Sequence, residues 1–151
     1  MTFSRKVTCP YCGEAARIPA EAFNDDLVCD SCGRAMFAAK PTDVTAPTFA
    51  GTIAASEIPV LVDFWAAWCG PCKAMAPAFE KAALAMESRV RFAKLNTDEE
   101  QSIAQQFDIR SIPTLILFRD GKELARHSGA MMGGDIERWV TERLADAAAT
   151  A

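Results

Sequence analysis

Six cysteines form three C-x-x-C pairs, a spacing that suits several kinds of chemistry. The pairs are Cys9 with Cys12, Cys29 with Cys32, and Cys69 with Cys72. Such pairs form structural disulfides, bind metal ions or exchange electrons as dithiols. Disulfide scaffolds belong to small secreted domains that cannot build a core, whereas this chain has 151 residues, half of them apolar. A reducing compartment, metal binding and catalysis therefore fit better.

The third pair lies where a strand is predicted to pass into a helix. Residues 60–65 form a β-branched and aromatic run of buried-strand length, and residues 72–87 are rich in alanine. At such a junction first-turn amides favour a thiolate, so we expect Cys69 to be the attacking sulfur. Cys72 is then placed to resolve the mixed disulfide. By spacing alone, half of a metal site or two buried cysteines are the alternatives.

The elements after the third pair alternate between helices and strands. We predict helices at 72–87, at 98–107 and from residue 135, and strands at 90–96, 114–119 and 122–127. Asp98 is a candidate helix cap, and Asp120-Gly121 is a strong hairpin signal between the last two strands. The order predicts an α/β fold with a mixed central sheet covered by helices on both faces.

The first 40 residues differ from the rest in being rich in turn signals and poor in long apolar runs. Residues 40–47 contain two prolines and small polar side chains, which is typical of a linker or of an extended entry into the next domain. We therefore predict two domains, a small one at 1–40 and a larger one at 41–151.

The first two pairs have the spacing of a four-thiolate metal site. Cys9, Cys12, Cys29 and Cys32 form C-x2-C-x16-C-x2-C, and a glycine follows each pair. A metal ion would supply folding energy that a 40-residue segment lacks. We predict a zinc-ribbon-like domain with one structural zinc ion. A redox-sensing role of the same site is a further hypothesis, in which oxidation of the metal thiolates releases zinc under oxidative stress. The alternatives are two further redox pairs, two structural disulfides, or iron in a rubredoxin-like site.

The segment V-D-F-W-A-A-W-C-G-P-C-K at 62–73 resembles the active-site segment of the thioredoxin family. The resemblance covers roughly residues 43–148. It includes Lys94-Leu95-Asn96, Ser111-Ile112-Pro113-Thr114 and Gly129, in the family's order. It implies the thioredoxin fold and a redox-active disulfide between Cys69 and Cys72. With the four-cysteine segment in front, nearly the whole chain resembles the zinc-containing bacterial members of that family.

Asp63 lies in the middle of the apolar run at 60–65, where burial raises the pKa of a carboxyl group. The resemblance implies that Asp63 accepts the proton of Cys72 during resolution, while Lys94 tempers its charge. A hydrogen-bonded core aspartate is the alternative. The resemblance also implies a cis peptide bond before Pro113, which would lie against the cysteine pair.

An apolar rim around an exposed Cys69 sulfur is a further implication of the resemblance, and it suits varied protein disulfides. Its members are Trp68, Gly70, Pro71, Ile112, Gly129 and Ala130.

The composition limits the partners. The formal net charge of −4 and the pI near 5.0 create no field that attracts nucleic acid or an anionic membrane. No apolar run reaches the length of a membrane-spanning helix or of a signal peptide. We expect a cytoplasmic monomer without an organic cofactor, whose partners are disulfide-containing proteins. Thioredoxin reductase as the electron donor is implied by the resemblance alone.

The leading functional hypothesis is a protein-disulfide reductase. A disulfide oxidase or isomerase is the second hypothesis, because the redox direction depends on the thiols and the residues between them. The third is a zinc-dependent docking or holdase module with incidental redox activity.

Overall fold

The computed structural model describes residues 4–19, 21, 27–37, 40–54, 56–87 and 89–149. Its strands are β1 (Ser4–Thr8), β2 (Ala15–Pro19), β3 (Thr42–Asp43), β4 (Val60–Trp65), β5 (Arg91–Asn96), β6 (Thr114–Arg119) and β7 (Lys122–Ser128). β1 and β2 form an antiparallel pair, and the other five strands form one sheet in the order β3-β5-β4-β6-β7.

The five-stranded sheet is mixed, as predicted. β3, β5 and β4 run parallel to one another, whereas β6 and β7 are antiparallel to their neighbours. The predicted strands at 60–65 and 114–119 are confirmed residue for residue. All of β4 except Trp65 is buried, because helices cover both faces of a central strand and leave no polar side.

In the described parts of the chain, four helices cover the sheet: α1 (Ala46–Ala54), α2 (Gly70–Met86), α3 (Gln101–Gln106) and α4 (Asp135–Ala149). α2 and α4 pack on one face through residues such as Phe79 and Val140, and α1 and α3 pack on the other through Phe49 and Ile103. The predicted thioredoxin fold is confirmed. Within the described residues, no helix has the length and apolar character needed to cross a membrane.

Of the two interpretations of residues 40–47, the extended entry into the next domain agrees with the structure, because β3 pairs with β5. The sequence does not predict α1, which begins at Ala46. One predicted feature of the chain after residue 40 is wrong. The helix predicted at 98–107 is shorter, and Asp98 is not its cap. α3 follows Glu100, which makes no side-chain capping bond, while the Asp98 carboxylate accepts a hydrogen bond from Trp68.

The described part of the cysteine-rich segment, residues 4–19, 21 and 27–37, is called the ribbon below. It packs where β4 and β5 begin: Ile58, just before β4, is fully buried against Val7, Met36 and Phe37 of the ribbon. Cys69 follows the other end of β4. A six-residue strand is roughly 16 Å long at about 3.3 Å per residue, so the ribbon and the Cys69–Cys72 pair lie at opposite ends of the sheet.

Candidate functional site

Cys69 and Cys72 form a disulfide at the start of α2. Cys69 is the N-cap residue, and its Sγ accepts a hydrogen bond of 3.1 Å from the backbone N–H of Cys72. Pro71 occupies the first turn, where a missing N–H costs nothing. After reduction, the same amide and the helix dipole stabilise a thiolate at Cys69.

The expectation of an exposed Cys69 sulfur is wrong for the disulfide form. Cys69 is 4% exposed and Cys72 is 3% exposed, because Ala66, Trp65 and Ile112 pack around the pair. Trp68 is a large apolar side chain of the site that is exposed, at 69%.

The loop before β6 lies against the cysteine pair. The Ile112–Pro113 peptide bond is cis, in agreement with the expectation, and the Ile112 carbonyl oxygen is 3.7 Å from the Sγ of Cys69. The Pro113 carbonyl accepts a 2.8 Å hydrogen bond from the N–H of Gly129. Gly129 has φ of 103°, which favours glycine. This bond brings Gly129 and Ala130 beside the cis loop.

Asp63 is 1% exposed in the middle of β4. Side chains alternate along a strand, so Asp63 faces the same side as Leu61, which packs in the α2 layer. Burial raises the pKa of Asp63 to about 7, and the neighbouring Lys94 opposes that rise. Within the described residues, its Oδ1 has no hydrogen-bond partner. The unpartnered Oδ1 therefore does not support the alternative that Asp63 is a hydrogen-bonded core aspartate.

Lys94 is directly opposite Asp63 in the β4–β5 register. Its Nζ lies 4.4 Å from the centroid of the Trp65 ring, a cation–π contact. The ring thus holds the ammonium group beside the buried carboxyl group. The structure brings Asp63, Lys94 and Trp65 together on the α2 side of the sheet.

Asp98 is a site residue whose contact with Trp68 is not predicted from the sequence. Its Oδ2 accepts a 2.8 Å hydrogen bond from the Nε1 of Trp68. The two residues are 30 positions apart and no spacing rule connects them. The bond ties the exposed indole to the loop after β5.

The four front cysteines form a single cluster. Their Sγ atoms all lie within 4.8 Å of one another, with 3.7 Å between Cys9 and Cys32 and 3.6 Å between Cys12 and Cys29. A tetrahedron of sulfurs about 2.3 Å from a central ion has edges of about 3.8 Å, so the four thiols fit a Zn²⁺ ion. None of these cysteines is in a disulfide.

The two cysteine turns share one backbone geometry. In the first turn the N–H of Gly13 donates to the Cys9 carbonyl at 3.0 Å, and in the second the N–H of Gly33 donates to the Cys29 carbonyl at 2.8 Å. Both glycines have positive φ, 79° and 76°. Each turn presents its two sulfurs to the same point from opposite sides, which is how a four-thiolate centre is built.

A cysteine pair capping a helix, beside a buried carboxyl group and a cis-proline loop, defines a thiol-disulfide oxidoreductase. The family model described as Thioredoxin matches residues 40–142, which is more than half of the chain. Thioredoxin C-3 from Corynebacterium nephridii is 37% identical over 138 residues, covering 91% of this chain and 94% of that relative. Thus the chain belongs to the thioredoxin family.

Other relatives match a shorter part of the chain. Thioredoxin 1 from Synechococcus elongatus is 49% identical over 88 residues, which is 58% of this chain and 82% of the relative. Thioredoxin from Haemophilus influenzae is 38% identical over 96 residues, which is 64% of this chain and 90% of the relative. The 138 residues matched by Thioredoxin C-3 exceed the length from residue 40 to residue 151, so that similarity extends into the cysteine-rich segment.

Proposed function

We propose that the chain is a cytoplasmic protein-disulfide reductase that uses Cys69 and Cys72. The observation that carries the proposal is the disulfide at the N-terminus of α2, in which Sγ of Cys69 accepts from the first-turn N–H of Cys72. The Cys69 thiolate attacks one sulfur of a client disulfide, forming a mixed disulfide and releasing a client thiolate. Cys72 then attacks the Cys69 sulfur, which releases the second client thiolate and leaves the Cys69–Cys72 disulfide.

Asp63 and Lys94 serve the resolving step in this proposal. The thiol of Cys72 must lose its proton before it attacks, and a carboxyl group whose pKa is about 7 accepts a proton effectively near neutral pH. Lys94 stabilises the ionised form of Asp63. The cis loop at Pro113 holds the backbone of Ile112 beside Cys69.

The client rim in this proposal consists of Trp68, Gly70, Pro71, Ile112, Gly129 and Ala130. Trp68 supplies an exposed apolar surface, and an extended client segment would pair with the backbone of Ile112, which lies beside Cys69. A surface of this kind discriminates little between clients, which suits a general reductase acting as a monomer.

The four front cysteines hold one structural zinc ion in the proposal. Zinc supplies folding energy here and no redox chemistry, and four thiolates leave no open position for a substrate. A reducing compartment such as the cytoplasm is part of the proposal, because a four-thiolate site needs reduced cysteines. Metal analysis of the purified protein tests the site: one zinc per chain supports it, whereas one iron per chain or four oxidised front cysteines contradict it.

Insulin reduction with NADPH and thioredoxin reductase tests the reductase function. Wild type should turn over, Cys69→Ser should not, and Cys72→Ser should form mixed disulfides with clients without turnover. If wild type takes no electrons from the reductase but oxidises reduced ribonuclease, the chain is an oxidase. Protection of unfolded proteins that persists in Cys69→Ser, without insulin reduction in wild type, would establish the holdase alternative.

A further inference from the structure

A buried ion pair lies between the ribbon and the central sheet. The side chain of Arg91, the first residue of β5, is 2% exposed, and that of Glu87 is fully buried. Burying charged groups is costly unless they are paired and hydrogen-bonded. The disulfide chemistry at Cys69 does not use this pair, because Cys69 is at the other end of the sheet.

The Arg91 guanidinium contacts both chain segments that carry the metal-binding turns. Its Nη1 donates to the Met36 carbonyl at 2.6 Å, and its Nη2 donates to the Thr8 carbonyl at 3.4 Å. It also stacks 4.3 Å above the Phe37 ring. Thr8 immediately precedes Cys9, and Met36 follows the second cysteine turn. One side chain thus joins the two halves of the ribbon.

The same guanidinium is anchored to the central sheet. Its Nη1 is 3.9 Å from Oε1 of Glu87, and Oε2 of Glu87 accepts a 2.6 Å hydrogen bond from the N–H of Phe92 in β5. The backbone N–H of Arg91 donates to the Pro59 carbonyl just before β4. A shift of the cysteine turns therefore removes hydrogen-bond acceptors from a charge that the sheet holds in place.

We propose that Arg91 is a positioning residue of the four-cysteine centre and couples metal occupancy to the stability of the central sheet. This inference rests on the proposed zinc site. The guanidinium of Arg91 lies close enough to Cys9 for an electrostatic interaction. Its positive charge offsets the negative charge that four thiolates concentrate at the centre. Because the coupling is reciprocal, metal binding stabilises the sheet and an intact Arg91 strengthens metal binding.

Zinc transfer from the full-length protein to a chromogenic chelator tests the coupling, together with thermal unfolding before and after zinc removal. The variants are Arg91→Lys, Arg91→Met and the charge-free double variant Glu87→Gln/Arg91→Met. Arg91→Lys retains the charge but lacks the fork that reaches two carbonyls. Arg89→Met is the matched control, because Arg89 is exposed two residues away.

We expect zinc transfer to be about tenfold faster in the Arg91 variants than in wild type and in Arg89→Met. Zinc removal should lower the unfolding midpoint of wild type by roughly 10 °C, and by clearly less in the double variant. If Arg91→Met does not fold, zinc transfer and thermal unfolding of Arg91→Lys and of the double variant test the inference. Transfer at the wild-type rate from these variants overturns the inference and leaves the zinc site intact. A wild-type protein without metal overturns both, while insulin reduction reports separately on the reductase function.

Discussion

Asp63 occupies a position where a carboxyl group is costly and chemically useful. Burial raises its pKa to about 7, and Oδ1 has no hydrogen-bond partner in the described part of the chain. If Asp63 accepts the proton of Cys72, Asp63→Asn should slow the resolving step at neutral pH by about 100-fold. Stopped-flow release of the client from a preformed mixed disulfide measures that step. A variant that resolves as fast as wild type would remove Asp63 from the mechanism.

The raised pKa of Asp63 also predicts how stability depends on pH. The pKa is 3.8 in an unperturbed carboxyl group and about 7 in the folded chain, so the folded state binds the proton more tightly. The Asp63 carboxyl group therefore lowers the free energy of unfolding little below pH 4. The loss grows as the pH rises from 4 to 7 and is complete above pH 7. Urea unfolding should show Asp63→Asn to be more stable than wild type by about 2 to 4 kcal/mol at pH 8, with little difference at pH 4.

A carboxyl group on the surface provides the control for this pH dependence. Asp146 is exposed in α4. Asp146→Asn should change the unfolding free energy by less than about 0.5 kcal/mol at either pH. If Asp63→Asn behaves like this control, the Asp63 carboxyl group has an ordinary pKa in the folded chain.

The environment of a residue can be predicted from the sequence where the adjacent residues in the chain determine it. A carboxyl group inside the apolar run of β4 has few possible environments, so burial of Asp63 follows from local pattern. Asp98 and Arg91 could not be assigned this way. Their partners, Trp68 and the carbonyls of Thr8 and Met36, lie 30, 83 and 55 residues away, and only the folded chain brings them together.

At the scale of elements, the loop after β5 positions the exposed edge of the active site. The Asp98 carboxylate accepts a hydrogen bond from the indole of Trp68, which is an exposed large apolar side chain of the proposed client rim. Asp98→Ala should raise KM for insulin about fivefold, the equivalent of about 1 kcal/mol for one hydrogen bond. The rate with a small aromatic disulfide should change little, since such a substrate does not need the rim. Glu99→Ala, an exposed acid next in the chain, should leave both unchanged.

The accuracy of the predicted elements follows their burial. β4 and β6 are almost wholly apolar, and their predicted bounds are right. α1 was missed because its first two residues, Ala46 and Pro47, fall in the linker-like stretch at 40–47, and its buried apolar positions, Phe49 and Ile53, are few. The start of α3 was misplaced because aspartate is a common helix-capping residue. The carboxylate of Asp98 instead accepts a hydrogen bond from Trp68.

The whole molecule separates its two cysteine centres along the sheet. The Cys69–Cys72 pair lies where β4 ends, and the ribbon covers the place where β4 and β5 begin. Within the described residues, the ribbon and the client rim therefore lie at opposite ends of β4. Any influence of the ribbon on disulfide exchange passes through the sheet, and stability is the property it affects first.

Removal of the ribbon tests this division of roles. A chain that starts at residue 40 loses the cover of Ile58, which is fully buried against Val7, Met36 and Phe37. Ile58→Ala should cost about 2 to 4 kcal/mol of unfolding free energy in the zinc-loaded full-length protein. In the truncated chain, where Ile58 is already open to water, it should cost less than about 0.5 kcal/mol. The comparison isolates the ribbon contact from the other effects of truncation.

The truncated chain should also unfold at a lower temperature than the full-length protein while reducing a small aromatic disulfide at a similar rate below its midpoint. The reason is that the contacts it loses are at the start of β4 and β5, whereas Cys69 keeps its cap geometry at the start of α2. A large fall in that rate in a folded truncated chain would show that the ribbon acts on the active site itself. Equal costs of Ile58→Ala in the two chains would show that the ribbon does not cover this end of the sheet in solution.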